Sequence, residues 1–415
     1  MDYKNILVLG VPPKKGEVVI GHDLGRPLAA KKAHFLDYVE VYDRYGYKGA
    51  QTFIADYIRA NDIKCLFNIS SSAEFYFDLD FFERLNKDVF IVRCIGDSQY
   101  FYDMSEQYYC QTADLVIDSD LAGIYRLKQL GVDAYFCPGA YDVGRYPNKK
   151  LTKDIDVSFV GQIRDKVNRL RYVNCLKDNG INIQVYGCDS KSGRISFEEK
   201  LDIFHRSKIV LSISSVSERT RLTRKFNIYR RFRAIKPPVF EGIMCGSFVL
   251  SEFASDIEEF FTAGRDLDMF YGEKELLEKV RYYLANDALR EEIALRGHNK
   301  LEEKRYCDED YHLPNIMAKI DELAFKKLSK TRQPVYVDDI LLTNFSSFRV
   351  LMMVKFLKKL EIRKAIEELG QFMKYRRIDL YQLRIFVIEE ILDVFPGLKK
   401  LLKNLIGDAD EPARI

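Results

Sequence analysis

Along the first 140 positions, apolar residues fall in short unbroken runs separated by stretches with helical spacing. The runs occupy Lys4–Gly10, Ile63–Ile69, Val89–Asp97, Ala113–Asp118 and Ala134–Ala140. Between them, Ala50–Ala60, Glu74–Asn86 and Leu121–Leu130 place apolar side chains three and four residues apart, which predicts amphipathic helices. Strands that are apolar throughout are covered on both faces, and their alternation with helices predicts a parallel sheet. Tyr146–Lys150 is polar, contains Pro147, and reads as a linker.

After the linker the rhythm restarts. Asp156–Gly161 and Ile181–Gly187 are strand runs ending in glycine, followed by Ile209–Ser214 and Ser247–Glu252. Helical spacing marks Lys166–Asn179, Phe197–Ser207, a short helix opened by Glu241, then Glu273–Ala285 and Asp287–Glu303. The fold class expected is α/β: two Rossmann-like domains, residues 1–148 and 149–325, with a C-terminal α-helical extension, 326–415. The extension has no strand signature; one helix ends near Gly370 and another is expected over Leu380–Val394. Two open α/β sheets in tandem form a cleft between their strand carboxyl ends, where ligands bind in such sheets.

Composition narrows the class of protein. The chain has 415 residues, 47% hydrophobic and 31% charged, with 65 Lys+Arg against 62 Asp+Glu. It is too apolar for disorder, and its net charge of +3 argues against nucleic-acid binding. The average hides an asymmetry: Lys326–Lys403 holds 17 Lys/Arg against 9 Asp/Glu, so residues 1–325 are mildly acidic at −3. The N-terminus has a strand-like run, Ile6–Leu9, in place of a secretory signal, and no window approaches ~18 uninterrupted apolar residues. A cytoplasmic protein is expected, with eight reduced cysteines that form no CxxC pair. For the tail three readings stand: a bundle packed on the body, a peripheral attachment to an anionic membrane surface, or a partner-binding element.

The segment richest in candidate chemistry is Arg233–Glu252, RAIKPPVFEGIMCGSFVLSE. A carboxylate at a helix start, Glu241, is either a partner of the helix dipole or an acceptor for the vicinal hydroxyls of a ribose. Arg230, Arg231, Arg233 and Lys236 lie just upstream, and beside a cleft they suit a diphosphate as well as they suit solvent. Gly161 and Gly187 end strands where backbone can approach a phosphate. Tyr186 or Cys188 is placed to border a base pocket. Asp97, ending the run VFIVRCIGD, is the candidate general base for an acceptor hydroxyl, with a helix-capping role as its alternative. Asp78-Leu-Asp80, Asp118-Ser-Asp120 and Asp266-Leu-Asp268 are DxD-like, but a metal site is not expected, nor one from the five histidines, among them His22 and His34. Gly10–Gly16 follows the first strand without phosphate-loop spacing and reads as an ordinary mobile loop, with an acceptor loop as the alternative.

The run Phe240-Glu241-Gly-Ile-Met-Cys-Gly246-Ser-Phe-Val-Leu, preceded by Ile235-Lys236, resembles the signature of CgeB-like (spore maturation protein B-like) glycosyltransferases. These belong to the group-1 glycosyltransferases of GT-B fold. The likeness extends over Asp156–Tyr306, including the helix at Leu276–Leu284; the first half matches only in pattern, through Gly131-Val132 and Cys137–Asp142. The resemblance implies transfer of a sugar from a nucleotide diphosphate sugar to an acceptor hydroxyl, in cell-surface glycan or glycoconjugate synthesis. The acceptor would be a glycan, a lipid-linked molecule or a protein. It implies that Glu241 holds the donor ribose, that Lys236 and Arg164 hold its phosphates, and that Gly161, Gly187, Arg233 and Gly246 belong to the donor site, with no bound cofactor. The sequence departs from the family at Arg233, where many retaining members carry a glutamate, and at Pro237-Pro238, which replaces a Gly-Arg pair. A nucleotide-sugar epimerase of the same fold and a non-catalytic glycosyltransferase-like binding protein are the alternatives.

Overall fold

The computed structural model describes residues 1–12, 24–69, 75–96, 98–149, 151–163, 167–187, 190–215, 232–327 and 335–380. Asp97, Arg164, Cys188, His22, Arg230, Arg231 and most of the expected helix Leu380–Val394 lie outside them.

The first sheet contains β1 (Ile6–Gly10), β2 (His34–Asp37), β3 (Cys65–Ile69), β4 (Phe90–Ile95), β5 (Leu115–Asp118) and β6 (Ala134–Phe136). Its order is β2-β1-β3-β4-β5-β6, parallel throughout. The helices begin with α1 (Gly25–Ala30), α2 (Tyr38–Ala60), α3 (Leu79–Leu85) and α4 (Ser98–Phe101), the last continuing through a π turn at Tyr102–Glu106. They end with α5 (Leu121–Gln129). Asp37, Asp78 and Asp120 cap α2, α3 and α5, each accepting bonds from backbone N–H groups that have no partner inside the helix. Strand β2 was not read from the sequence: HFLD is only half-buried at the sheet edge and has no apolar run.

The second sheet contains β7 (Ile155–Val160), β8 (Ile183–Tyr186), β9 (Ser207–Ser212), β10 (Val249–Glu252) and β11 (Asp268–Phe270). It is parallel in the order β11-β10-β9-β7-β8. The intervening helices are α6 (Val167–Asp178), α7 (Phe197–Arg206), α8 (Pro237–Met244) and α9 (Ser255–Glu258), followed by α10 (Glu273–Ala285) and α11 (Asp287–Lys304). Ser196 and Glu199 form a complete capping box at the start of α7.

The chain then returns to the first domain. Helix α12 (Glu309–Lys327) buries Leu313, Ile316, Ile320 and Leu323 against Ile6, Val8, Phe67 and Val92, covering one face of the first sheet. The expected division at residue 325 therefore assigns this helix to the second domain by sequence, whereas its packing is with the first. The linker is also less free than its polarity indicated. Tyr146 is buried in the second core, and the Pro147 carbonyl lies 2.6 Å from Nε2 of buried His205.

The extension closes the other face. Leu341, Phe345, Phe348, Met352 and Phe356 of α13 (Asp339–Lys358) join Leu7, Tyr42, Ile54 and Leu66, and α14 (Ile362–Tyr375) packs beside α2. By length and composition α13 could cross a membrane, but more than half of its apolar window is buried in this core. It also carries Arg349, which is fully buried. The guanidinium donates to Tyr42 Oη at 2.6 Å, to Glu368 Oε2 at 3.2 Å and to the Phe75 carbonyl, while Tyr42 donates to the other Glu368 oxygen. A buried charge is tolerable only when paired in this way.

Removing the cation alone leaves the Glu368 carboxylate buried without its partner. Arg349→Met is expected to lower stability by about 3–5 kcal/mol in urea denaturation, and Arg349→Met/Glu368→Leu to recover much of that loss.

Candidate functional site

The carboxyl ends of both sheets face each other. At the second sheet, β7 and β8 end side by side at Gly161 and Gly187. Gly161 N–H donates to the Tyr186 carbonyl at 2.8 Å, and Gly187 adopts φ +145°. A Cβ on Gly187 would stand 2.3 Å from the Gly161 carbonyl oxygen, so the approach of these two backbones requires the glycine.

Next along the rim is a buried carboxylate not singled out from the sequence. Glu252, the last residue of β10, is 2% exposed and all its bonds run to residues near this edge. Oε1 accepts from Arg233 Nε at 2.7 Å and Tyr172 Oη at 3.0 Å; Oε2 accepts from the Ser215 N–H at 2.9 Å and its hydroxyl at 2.5 Å. Ser215 and Arg233 form an antiparallel bridge, and Ala234 N–H bonds the Ser214 carbonyl at 3.1 Å. One carboxylate thus ties together α6, the end of β9 and the approach to α8, and holds the Arg233 guanidinium at the strand ends. A carboxylate closing an apolar run was a readable signal in SFVLSE, of the same kind that singled out Asp97.

Helix α8 runs from the rim toward the opposite edge. Lys236 is its N-cap residue, in extended conformation, and Pro237 and Pro238 take the first two helical positions, where a missing N–H costs nothing. This corrects the expectation that Glu241 opens the helix: Glu241 is its fifth residue and is buried. Its Oε1 accepts from Lys200 Nζ of α7 at 2.6 Å and from Tyr146 Oη of the linker at 3.2 Å. Gly246 lies about 15 Å from Lys236 at 1.5 Å per residue. There φ +68° ends the helix, and a Cβ would meet Asn148 Oδ1 at 2.6 Å. Gly161, Gly187, Arg233 and Lys236 thus follow the strand ends of the second sheet, whereas Gly246 lies past the far end of α8.

The first domain meets this rim through the segment after β4. Gln99 of α4 donates from Nε2 to Asp120 Oδ1 at 2.9 Å and to the Arg233 carbonyl at 3.2 Å, and Phe101 packs with Phe232 and Ala234. Asp118-Ser-Asp120 sits here too. Asp118 accepts from the Asp120 N–H at 2.9 Å and Asp120 from the Ala122 N–H at 3.0 Å, so this DxD string serves as a helix cap. Burial pushes the Asp118 carboxyl well above the usual range. Asp256 of α9 faces Asp120 across the domain contact and has a buried oxygen without a hydrogen-bond partner. Burial first, and the Asp120 charge second, push its carboxyl up to about 6.

Residues 168–311, α6 to the start of α12, match a family model described as glycosyl transferase-like. No curated protein sequence matches the chain significantly. Among solved structures, HepE from Anabaena, determined with UDP and glucose, aligns at TM-score 0.50 and 12% identity over 78% of this chain and 99% of that one. Sucrose-phosphate synthase from Thermosynechococcus elongatus aligns at 0.49 and 9%, over 77% of this chain and 89% of its own. TarM of S. aureus aligns at 0.47 and 12%, over 66% of this chain and 58% of its own, so the chain spans little more than half of that protein. The architecture is that of the GT-B glycosyltransferases: two parallel α/β sheets, here with a helical C-terminal region.

The Asp256 carboxyl generates a pH prediction. Its pKa in the folded protein, about 6, lies above the ordinary 3.8, so the fold favours the protonated form. Its contribution becomes more favourable as pH falls from about 7 toward 4, where the folded chain binds a proton that the unfolded chain does not. Asp256→Asn should raise stability at pH 7 by about 1–3 kcal/mol, and the difference from wild type should shrink progressively toward pH 4 in denaturation curves.

Proposed function

We propose that this chain is a glycosyltransferase of the CgeB-like type, moving a sugar from a nucleotide diphosphate sugar to an acceptor hydroxyl in glycan or glycoconjugate synthesis. The observation that carries the reading is the rim of the second sheet, most of which falls inside the glycosyl transferase-like match. There Arg233 is held by Glu252 beside Lys236 at the start of α8 and the close glycine backbones of Gly161 and Gly187. Cations on a rigid support suit a departing diphosphate, whose developing charge is the main demand of this chemistry.

In this reading Arg233 and Lys236 face the donor diphosphate. Glu241, engaged with Lys200 and Tyr146, acts from behind by fixing α8; a ribose bonding to it would share its carboxylate with those two groups. Asp97, assigned from its place after β4, is the base that takes the acceptor proton, and Arg164 a second phosphate contact. That a HepE structure was determined with UDP and glucose supports a uridine donor as the first to test.

Calorimetry with UDP, GDP, CDP and dTDP tests the donor site. Arg233→Ala and Lys236→Ala are each expected to weaken the bound diphosphate about tenfold, the equivalent of one charged hydrogen bond. Glu252→Gln should weaken it less, by loosening Arg233. Wild-type protein that binds none of the four would overturn the reading. Product analysis without acceptor separates transfer from epimerisation, since only an epimerase converts the donor alone.

A further inference from the structure

Helix α14 presents two faces that its position explains only in part. Ala365 and Glu368 are buried toward α13 and α2. On the other side, Ile362, Ile366, Leu369 and Met373 are 54%, 62%, 42% and 45% exposed. At 100° per residue these four lie within an arc of about 60°, a continuous aliphatic stripe along the helix. Leu360, 83% exposed at the turn into α14, extends it at one end.

The neighbouring arc is cationic. Arg363 and Lys374 project about 100–120° around the helix from Ile362, at opposite ends of the stripe. Their side chains are 93% and 50% exposed. Their ion pairs, to Glu367 at 3.7 Å and Asp80 at 3.9 Å, are long, and ion pairs made by exposed cations hold charge weakly. Lys358 and Arg376 are exposed just before and after the helix. This lies in a part of the chain with an excess of positive charge, 17 Lys/Arg against 9 Asp/Glu over Lys326–Lys403.

From this arrangement we propose that α14 lies along the surface of an anionic lipid bilayer, with Ile362, Ile366, Leu369 and Met373 in the headgroup–acyl boundary and Arg363 and Lys374 on the lipid phosphates. A narrow aliphatic stripe bordered by cations matches an interfacial helix. The stripe lacks the aromatic anchors that concentrate binding energy in protein–protein contacts. The arrangement restricts the lipid-binding role to one face of the extension, since α13 and the inner side of α14 are occupied by the first domain. It places the protein at the face of a membrane, and it is independent of the donor chemistry.

The test is flotation of the full chain with vesicles of phosphatidylcholine alone or mixed with phosphatidylserine, at low and high salt. The wild type should float only with the anionic vesicles and lose much of that binding at high salt. Ile366→Glu/Leu369→Glu should reduce flotation about tenfold or more with unchanged melting temperature, and Arg363→Glu/Lys374→Glu should remove the dependence on anionic lipid. Equal flotation of wild type and the stripe variant overturns the proposal, as does wild type that floats with neither. A melting temperature that falls on stripe substitution in lipid-free protein shows the stripe covered by the chain's own residues beyond 380. A change in elution volume on size exclusion shows it covered by a second copy. Either result overturns the lipid assignment while leaving the nucleotide measurements intact.

Discussion

A parallel sheet must be covered on both faces, and that requirement organises this molecule. Each strand is followed by a helix that returns the chain to the starting edge, so the strand-to-helix turns of both sheets collect at their carboxyl ends. Those turns carry the polar groups that the sheets have no room for. The first sheet has a face that its own connecting helices do not fill, and the chain covers it late: α12 crosses back after the second domain is complete, and α13 closes the opposite side. Both crossings bind the far end of the sequence to the first core, so the C-terminal helices are structural parts of that domain.

Burial on this scale leaves little tolerance for unpaired charge, and the molecule's principal carboxylates show three solutions. Glu368 is neutralised inside the first core by Arg349 and Tyr42, which locks α13 and α14 to α2. Glu241 is held by Lys200 and Tyr146, joining α8 to α7 and the linker. Glu252 is used at the cleft, where its four bonds fix two chain segments and one arginine. Asp118 and Asp256 differ: neither is paired with a cation among the described residues, and burial pushes both carboxyls up.

Charge is partitioned in the same way. The near-neutral chain divides into a mildly acidic body and a basic extension, and the folded extension leaves its aliphatic stripe, Arg363 and Lys374 exposed while Arg349 is fully buried. Arg349 and Arg363 are fourteen residues apart, alike in sequence terms, and opposite in burial. Their neighbours in space decide which is structural and which is available.

Much of this was legible before the fold was known. Unbroken apolar runs marked β1, β3, β4, β5 and most of the second sheet, because a strand buried on both faces needs no polar alternation. The helix over Glu273–Ala285 was bounded as observed. Strands β2 and β11 carry no such run: the first is half-exposed at an edge, the second only three residues long. For the site, chemistry in a local run was readable: Arg233 and Lys236 both belong to the segment that leads from the end of β9 into α8. Distance along a helix was not, and Gly246 and Glu241, adjacent to that run in sequence, lie deeper because each helical residue advances the chain by about 1.5 Å. The sequence by itself determined two parallel α/β units and a basic helical end, since periodicity and charge are local properties. Tertiary structure alone decided that Glu252 holds Arg233, that the extension belongs to the first core, and which face of α14 stays open. Each of these depends on contacts between residues far apart in the chain.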